Sequence, residues 1–190
     1  MLGAMWLYPG EAGGVRRGYS FGENFLSMMG RTKAGGWDNT GSCLLFNGTL
    51  IMGGPILAMF WKARAWFLRE PGTKALLRGC GLTMGLAMAG IGLSPCDLFP
   101  DVHDTMTYVV IVLGVICFGL CLAGSHRGFE SAQSKRVWLL ILMLAGAAQG
   151  LVVLFVSMGT IPSRPALPLM QMLFVLMLAL WAAWQGVLLG

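Results

Sequence analysis

The chain is organised as five long apolar runs separated by short polar connections. The runs cover roughly residues 43–61, 74–93, 105–123, 137–157 and 167–189. Each approaches the ~20 residues that an α-helix needs to cross about 30 Å of hydrocarbon. They are continuously apolar and lack the strict alternation of a membrane β-strand. The pattern therefore predicts an all-α integral membrane protein, with a domain of five transmembrane helices over residues 43–190.

Residues 1–42 form an amino-terminal segment with a different pattern. Its first apolar stretch stops at Pro9-Gly10 and is too short to span a bilayer. Ser20 and Glu23 have the spacing of a capping box, which predicts a short interfacial helix over about residues 20–30. The apolar start is interpreted either as the last two turns of a helix or as an interfacial anchor held by Trp6 and Tyr8, and residues 31–42 are predicted to be a polar, glycine-rich loop beside the membrane.

Small residues within the runs predict how the helices pack. The second run carries Gly81, Gly85, Ala89 and Gly92 on nearly one face, and the fourth carries Gly146 and Gly150. Such spacings let helix backbones approach closely in lipid. Pro55, after two glycines, is predicted to bend the first run. Ionisable side chains are almost absent from the runs, which argues against an ion-coupled transporter.

Composition agrees with lipid as the solvent of this chain. Of the 190 residues, 56% are hydrophobic and only 11% are charged, whereas a soluble domain carries roughly a quarter charged residues. The formal net charge of +5 is not a nucleic-acid footprint, because the basic residues cluster between the apolar runs. Membrane lipids and other membrane subunits are the predicted partners, and nucleic acid is excluded.

The distribution of basic residues predicts the orientation. The first and third connections carry most of them: Lys62, Arg64, Arg69, Lys74, Arg78, Arg127, Lys135 and Arg136. The positive-inside rule places these connections in the cytoplasm of a cell that we expect to be bacterial. The amino-terminal segment and the 94–104 loop are then outside the plasma membrane, and the carboxyl end is cytoplasmic. Five tryptophans are predicted near the inner interface: Trp61, Trp66, Trp138, Trp181 and Trp184.

The 94–104 loop holds the candidate chemistry of the chain. Asp97, Asp101, His103 and Asp104 cluster there, and Ser27 of the amino-terminal segment is predicted to lie on the same side. A histidine beside carboxylates can serve as a general base or a metal ligand. Such a group at the membrane edge could act on lipid headgroups.

A structural explanation of the same loop competes with the catalytic one. Asp101 and Asp104 precede the third run, where carboxylates complement the positive end of a helix and its free N–H groups. Pro95 and Pro100 then shape the turn, and His103 bridges to a neighbouring loop. No nucleophile is identifiable, and one histidine makes a weak metal site, so no metal is predicted.

Five cysteines give no C-x-x-C metal signature. Cys117 and Cys121 lie four apart within one run and are predicted to be small packing residues. Cys43 and Cys96 are both predicted near the outer surface, where they are candidates for a disulfide in an oxidising compartment.

Short motifs over residues 19–126 resemble those of bacterial uncharacterised six-span membrane proteins, related in pattern to the damage-regulated autophagy modulator (DRAM) family. The matching residues are Ser27 and Gly30, then Phe46-Asn47, then Phe99-Pro100 with His103-Asp104. The resemblance implies a helical membrane fold and its topology, and implies no established activity. It also implies that the family's complete first helix is lost or trimmed, since about eight residues precede Pro9.

Two functions of different classes follow from these observations. The first is a non-catalytic accessory or scaffold subunit within a larger membrane assembly, indicated by the small size and the short connections. The second is a lipid-binding or lipid-modifying enzyme that uses the 94–104 loop. Pigment binding in a photosynthetic complex would require His103 or His126 as an axial ligand. No cofactor is implied, and bound lipid is expected.

Overall fold

A computed structural model describes residues 2–10, 18–124, 133–160 and 166–189. After a short first helix, five long helices make up most of this part of the chain. The helices are α1 (Leu2–Leu7), α2 (Thr40–Arg64), α3 (Pro71–Leu93), α4 (Pro100–Gly124), α5 (Gln133–Ser157) and α6 (Ala166–Leu189). The all-α prediction is confirmed, and each of the long helices contains one of the predicted apolar runs.

Four helices in the described residues are long and apolar enough to cross a membrane. They are α2 with the short helical turn after it, α3, α4 and the Val137–Val156 part of α5. The apolar stretch found in α6, Leu167–Leu178, is too short to count among them. The structure therefore indicates a membrane-embedded protein with four candidate spans. The fifth span and the orientation stay predictions.

The α4 helix begins earlier than predicted. The sequence pattern placed its start near residue 105, but the helix runs from Pro100 and includes Asp101 in its first turn. Proline is favourable at the first helical position because its missing N–H would have no intrahelical partner there. Pro100 therefore opens the helix, and Asp101 and Asp104 lie within it.

The predicted helix over residues 20–30 is wrong. Residues 21–23 form a turn, and only a 3-10 helix is present, at Leu26–Gly30. The Asn24 side chain explains part of this difference, because its Oδ1 accepts a hydrogen bond from the Ser20 backbone N–H at 2.8 Å. Such side-chain bonds to nearby backbone compete with helix formation.

The loop that follows contains a small antiparallel hairpin. Strand β1 (Lys33–Ala34) pairs with β2 (Trp37–Asp38) across Gly35 and Gly36. The two glycines have φ angles of 56° and 86°. Both central residues of a type I′ hairpin turn need positive φ, which glycine adopts without steric cost.

The close packing predicted for the glycine face of α3 is present, and the partner helix is α2. Gly81 lies against the side chain of Trp61, and Gly85 lies against the backbone at Gly54. A methyl group at Gly85 would be 2.9 Å from the Cβ of Ala58. The small residues therefore let the two helix backbones approach each other closely. α2 is one helix through Pro55.

The main hydrophobic core lies towards the end of the bundle where α2 finishes. Its buried members are Trp61, Ala65, Leu68, Leu77, Met84, Cys117, Phe118, Cys121, Leu139, Leu142 and Trp181. The packing role predicted for Cys117 and Cys121 is confirmed, since both are fully buried. A second, smaller core lies at the opposite end of α2, between α1, the 3-10 helix and α2. It contains Ala4, Tyr8, Leu26, Met29, Ala34, Phe46 and Leu50.

Two of the tryptophans predicted near the inner interface are buried in the main hydrophobic core. Trp61 is 2% exposed and Trp181 is 4% exposed. Both pack edge-on against Phe118, with ring centroids 5.4 and 5.2 Å away. Aromatic rings favour this edge-to-face arrangement. Trp66 and Trp138 are exposed, as an interfacial position requires, and the Trp184 side chain lies outside the described part of the structure.

Arg64 is also buried, although the sequence placed it among the loop charges. Its side chain is 2% exposed at the last residue of α2. The guanidinium carbon lies 5.8 Å from the centre of the Phe67 ring, within the range of a cation–π contact.

Candidate functional site

The predicted site residues lie at one end of the bundle, where α2 and α4 begin and α3 ends. We call this the capped end, because residues 19–38 cover it together with the loop 94–99. Polar side chains at the start of α2 and at the N-cap residue before it, Asn39, bond the 3-10 helix and the residue that follows it. Asn39 Nδ2 donates hydrogen bonds to the carbonyls of Met29 at 3.2 Å and Arg31 at 2.8 Å. Ser42 Oγ donates to the same Met29 carbonyl at 3.2 Å.

Two further donors of α2 converge on the carbonyl of Gly30. Asn47 Nδ2 lies 3.0 Å from this oxygen, and the Cys43 thiol lies 3.2 Å from it. The contact needs glycine, because a methyl group at position 30 would be 2.6 Å from Asn47 Oδ1 and 2.9 Å from the Phe46 ring. The first two motifs of the family resemblance therefore touch each other, and their contact fixes the 3-10 helix on α2.

Asp97 connects the 94–99 loop to the hairpin. Its Oδ2 accepts three hydrogen bonds, from Thr32 N at 2.9 Å, Thr32 Oγ1 at 2.6 Å and Lys33 N at 3.2 Å. Partial desolvation acts to raise the pKa of Asp97, but these hydrogen bonds to the carboxylate outweigh it and hold the pKa below its ordinary value. The carboxylate is thus kept charged as a structural acceptor.

His103 is 4% exposed and belongs to the first turns of α4. Its Nδ1 lies 2.8 Å from the carbonyl oxygen of Ser94. Because a carbonyl can only accept, Nδ1 carries the proton in this contact. The predicted bridge to a neighbouring loop is therefore a bond to the carboxyl end of α3, and it closes the turn between the two helices.

The proposed disulfide is absent, since Cys43 and Cys96 are both free thiols. The Cys43 thiol lies 3.2 Å from the Gly30 carbonyl, and Cys96 Sγ lies 3.7 Å from the Ser27 carbonyl. Burial raises the pKa of the Cys96 thiol, although Arg31 nearby acts in the opposite direction. The protonated thiol is the form that donates to a carbonyl.

The amino-terminal segment is also tied to α6, and contacts within the segment hold its two ends together. Gln171 Oε1 accepts a hydrogen bond from the Leu26 backbone N–H at 2.9 Å. Tyr19 packs edge-on against Tyr8, with ring centroids 5.8 Å apart, and donates its hydroxyl to the Asn24 carbonyl at 2.8 Å. Burial raises the pKa of Tyr19 to about 12. The segment therefore rests on α2 and α6 of the bundle.

Sequence reasoning singled out Asp97 and His103 but missed Asn39, Ser42 and Gln171. In the sequence, these three residues differ from their surroundings only by being polar near the start of an apolar run. Their partners are backbone groups, which leave no mark in a sequence.

The hydrogen bonds of the candidate residues run to different partners. Asp97 accepts a hydrogen bond from Thr32 N, and the Ser27 carbonyl contacts the Cys96 thiol. His103, in contrast, bonds the carbonyl of Ser94 at the end of α3. Within the described ranges, no group of three or more His, Cys, Asp or Glu residues could hold a metal ion. His126, the second candidate pigment ligand, lies outside the described residues.

Comparisons of the chain with protein-family models, with curated proteins and with solved structures found no match.

Proposed function

We propose that the protein is a non-catalytic accessory subunit that packs within a larger membrane assembly. The observation that carries the proposal is the internal use of the polar groups at the capped end. His103 is buried against the Ser94 carbonyl, and Asp97 accepts three bonds from the hairpin. A general base must reach the proton that it removes, and a buried histidine that fastens a turn is poorly placed for this.

A row of small residues on the surface of α3 supports a helical partner. Ala75, Gly79 and Thr83 are spaced four residues apart and are all exposed. A methyl group at Gly79 would meet nothing within 4 Å. In lipid, small residues at such spacing let a second helix approach closely, and the resulting van der Waals packing drives association. This face is separate from the glycine face that α3 presents to α2.

The finer topology belongs to the same proposal. We infer five spans, with α6 as the fifth, in a bacterial plasma membrane. The capped end faces outward and the end of α6 faces the cytoplasm, as the basic connections favour. The likeness to the DRAM-related proteins would then describe the bundle from α2 to α4 and its cap.

The alternative is a lipid-binding or lipid-modifying enzyme using Asp97, Asp101, His103 and Asp104. It requires His103 to leave its bond with Ser94 and to face substrate. Replacement of His103 by glutamine separates the two functions, since glutamine retains an N–H donor but cannot act as a base. We expect H103Q to fold and to co-purify with the native partner in amounts close to wild type.

A matched variant, Gly79→Ile, should fold but lose the partner, because the branched side chain blocks the close approach of a second helix. The proposal would be contradicted if H103Q folded and assembled normally while the host lost conversion of a lipid headgroup. It would also be contradicted if the same partner proteins co-purified with Gly79→Ile and with the wild type in equal amounts.

A further inference from the structure

A basic surface lies where α2 leads into α3, at the end of the bundle opposite the capped end. Residues 62–78 contain five Lys or Arg side chains and a single carboxylate. Lys74 precedes Arg78 by four residues, a spacing that places both on one face of α3. The Arg78 guanidinium carbon lies 5.6 Å from the centre of the Trp66 ring, in the helical turn after α2. Lys62 lies four residues before Trp66. We call these four residues the basic edge.

The cations of the basic edge are accessible, and no carboxylate compensates their charge. Lys62 and Arg78 are exposed and Lys74 is partly exposed. Trp66, which lies beside Arg78, is 69% exposed. Within the described ranges, no acidic side chain forms an ion pair with any of the three cations. Like charges held close together repel each other, so an anion that binds among them is attracted by all three.

The two helices themselves give the level of the basic edge along the bundle. α2 carries no charged side chain over residues 40–61, a length of about 33 Å at the helical rise, and α3 carries none after Arg78. Gly81 of α3 packs against the Trp61 side chain of α2. Lys62 and Arg78 therefore lie at the same level to within about one helical turn. Because the hydrocarbon core of a bilayer is about 30 Å thick, these first charges mark its boundary with the headgroups.

We propose that the basic edge binds the headgroup phosphate of an anionic phospholipid. Lys62 and Arg78 supply donors from two helices, because phosphate oxygens accept charge-assisted hydrogen bonds from ammonium and guanidinium groups. Lys74 adds a third positive charge, and Trp66 occupies the headgroup level at which tryptophan is enriched. Basic clusters at the ends of membrane helices attract anionic lipids in this way. The proposal holds for either orientation of the chain, because both leaflets expose headgroups, and it needs no protein partner.

The test compares two lipids that differ in headgroup charge. The full chain in detergent is titrated with phosphatidylglycerol and with phosphatidylcholine of the same acyl chains, and native mass spectrometry measures the retained lipid. Both lipids carry a phosphate, but the choline ammonium group neutralises it in the second. We expect the wild type to retain the anionic lipid preferentially. Removal of each cation of the basic edge should reduce that preference on the order of five-fold.

The double variant Lys62→Gln with Arg78→Gln should lose most of the preference and keep the fold, as followed by circular dichroism, because both positions are exposed. The matched control is Lys33→Gln, which removes a cation from an exposed position of the hairpin at the capped end. It should keep the wild-type preference. Equal retention of the two lipids by the wild type would overturn the proposal. An equal loss in K33Q would also overturn it, because the attraction would then follow the net charge of the chain.

A second variant keeps the test decisive if the double variant does not fold. Lys74→Gln alone should reduce the preference on the order of five-fold, and an unchanged preference would refute the site. Displacement of phosphatidylglycerol by equimolar inorganic phosphate would also refute it, because the basic edge would then take a free anion. Loss of a co-purifying protein in the double variant, with the lipid preference unchanged, would assign the basic edge to an acidic protein surface instead.

Discussion

Gly30 is the residue at which the amino-terminal segment and α2 come closest. Substitution by alanine would bring a methyl group 2.6 Å from Asn47 Oδ1 and 2.9 Å from the Phe46 ring. Overpacking of this kind costs about 1–3 kcal/mol. We expect Gly30→Ala to lower the thermal unfolding midpoint of the purified protein in detergent and to expose the Cys43 thiol to maleimide labelling.

Gly48→Ala is the control for this prediction. Gly48 lies on the same helix as Asn47, but a methyl group there would meet nothing within 4 Å. Alanine also favours the helix by roughly 1 kcal/mol over glycine. We expect G48A to have an unchanged or slightly raised unfolding midpoint. If the midpoint fell as far in G48A as in G30A, the steric explanation for G30A would be wrong.

Asp97 gives the cap a dependence on pH with a definite sign. Hydrogen bonds from Thr32 and Lys33 hold the pKa of Asp97 below its ordinary value of 3.8. The stabilisation from the carboxylate is therefore fully present above that value and is lost as the pH falls through the folded-state pKa. We expect the unfolding midpoint of the wild type to fall more steeply below about pH 4 than that of Asp97→Asn.

The matched control is Asp101→Asn, since Asp101 lies in the first turn of α4 and outside the contact with the hairpin. D101N should keep the steep wild-type profile. Parallel profiles for wild type and D97N would show that the Asp97 contact contributes no pH dependence.

At the residue scale, the sequence identified the polar positions but not their roles. Asp97 and His103 stood out because they interrupt an apolar chain. Their partners are the backbone amides of residues 32 and 33 and the carbonyl of Ser94. Backbone groups exist at every position, so only the folded chain reveals which of them a side chain meets.

At the scale of elements, apolar length was a strong predictor and local capping was a weak one. The long helices follow from the need to satisfy backbone groups within hydrocarbon, which leaves helix as the accessible structure. The helix expected over residues 20–30 failed because Asn24 bonds the Ser20 backbone and because a short segment gains little from one capping pattern.

The contact between α2 and α3 gives a prediction for a whole element pair. Gly85→Ala would place its methyl group 2.9 Å from the Cβ of Ala58 and against the backbone at Gly54. Backbone cannot move aside as a flexible side chain can, so we expect a loss of stability of about 1–3 kcal/mol. Urea- or SDS-induced unfolding measured by tryptophan fluorescence would detect it.

Gly79→Ala is the matched substitution for this pair, because Gly79 is in the same helix but its methyl group would meet nothing within 4 Å. We expect G79A to be at least as stable as the wild type, because alanine also favours the helix over glycine. Equal losses in G85A and G79A would indicate a general effect on α3 and not close packing against α2.

At the scale of the whole molecule, two cores at opposite ends hold the bundle together. The aromatic cluster of Trp61, Phe118 and Trp181 joins α2, α4 and α6 at one end. The buried contacts of Met29, Phe46 and Leu50 attach the amino-terminal segment at the other. Between them, large apolar side chains such as Met52, Ile56 and Leu86 remain exposed. Such a surface needs lipid or other helices around it.

The central claim is that this chain is a non-catalytic subunit of a membrane assembly. The most direct test is the mass of the complex that purifies with the tagged chain. The chain, tagged and expressed at its native level, would be extracted with its surrounding lipid and weighed by native mass spectrometry. We expect a defined complex with at least one other membrane protein at fixed stoichiometry, and loss of that partner in Gly79→Ile. Isolation of the chain alone with bound lipid, with the same mass in the wild type and in Gly79→Ile, would contradict the account.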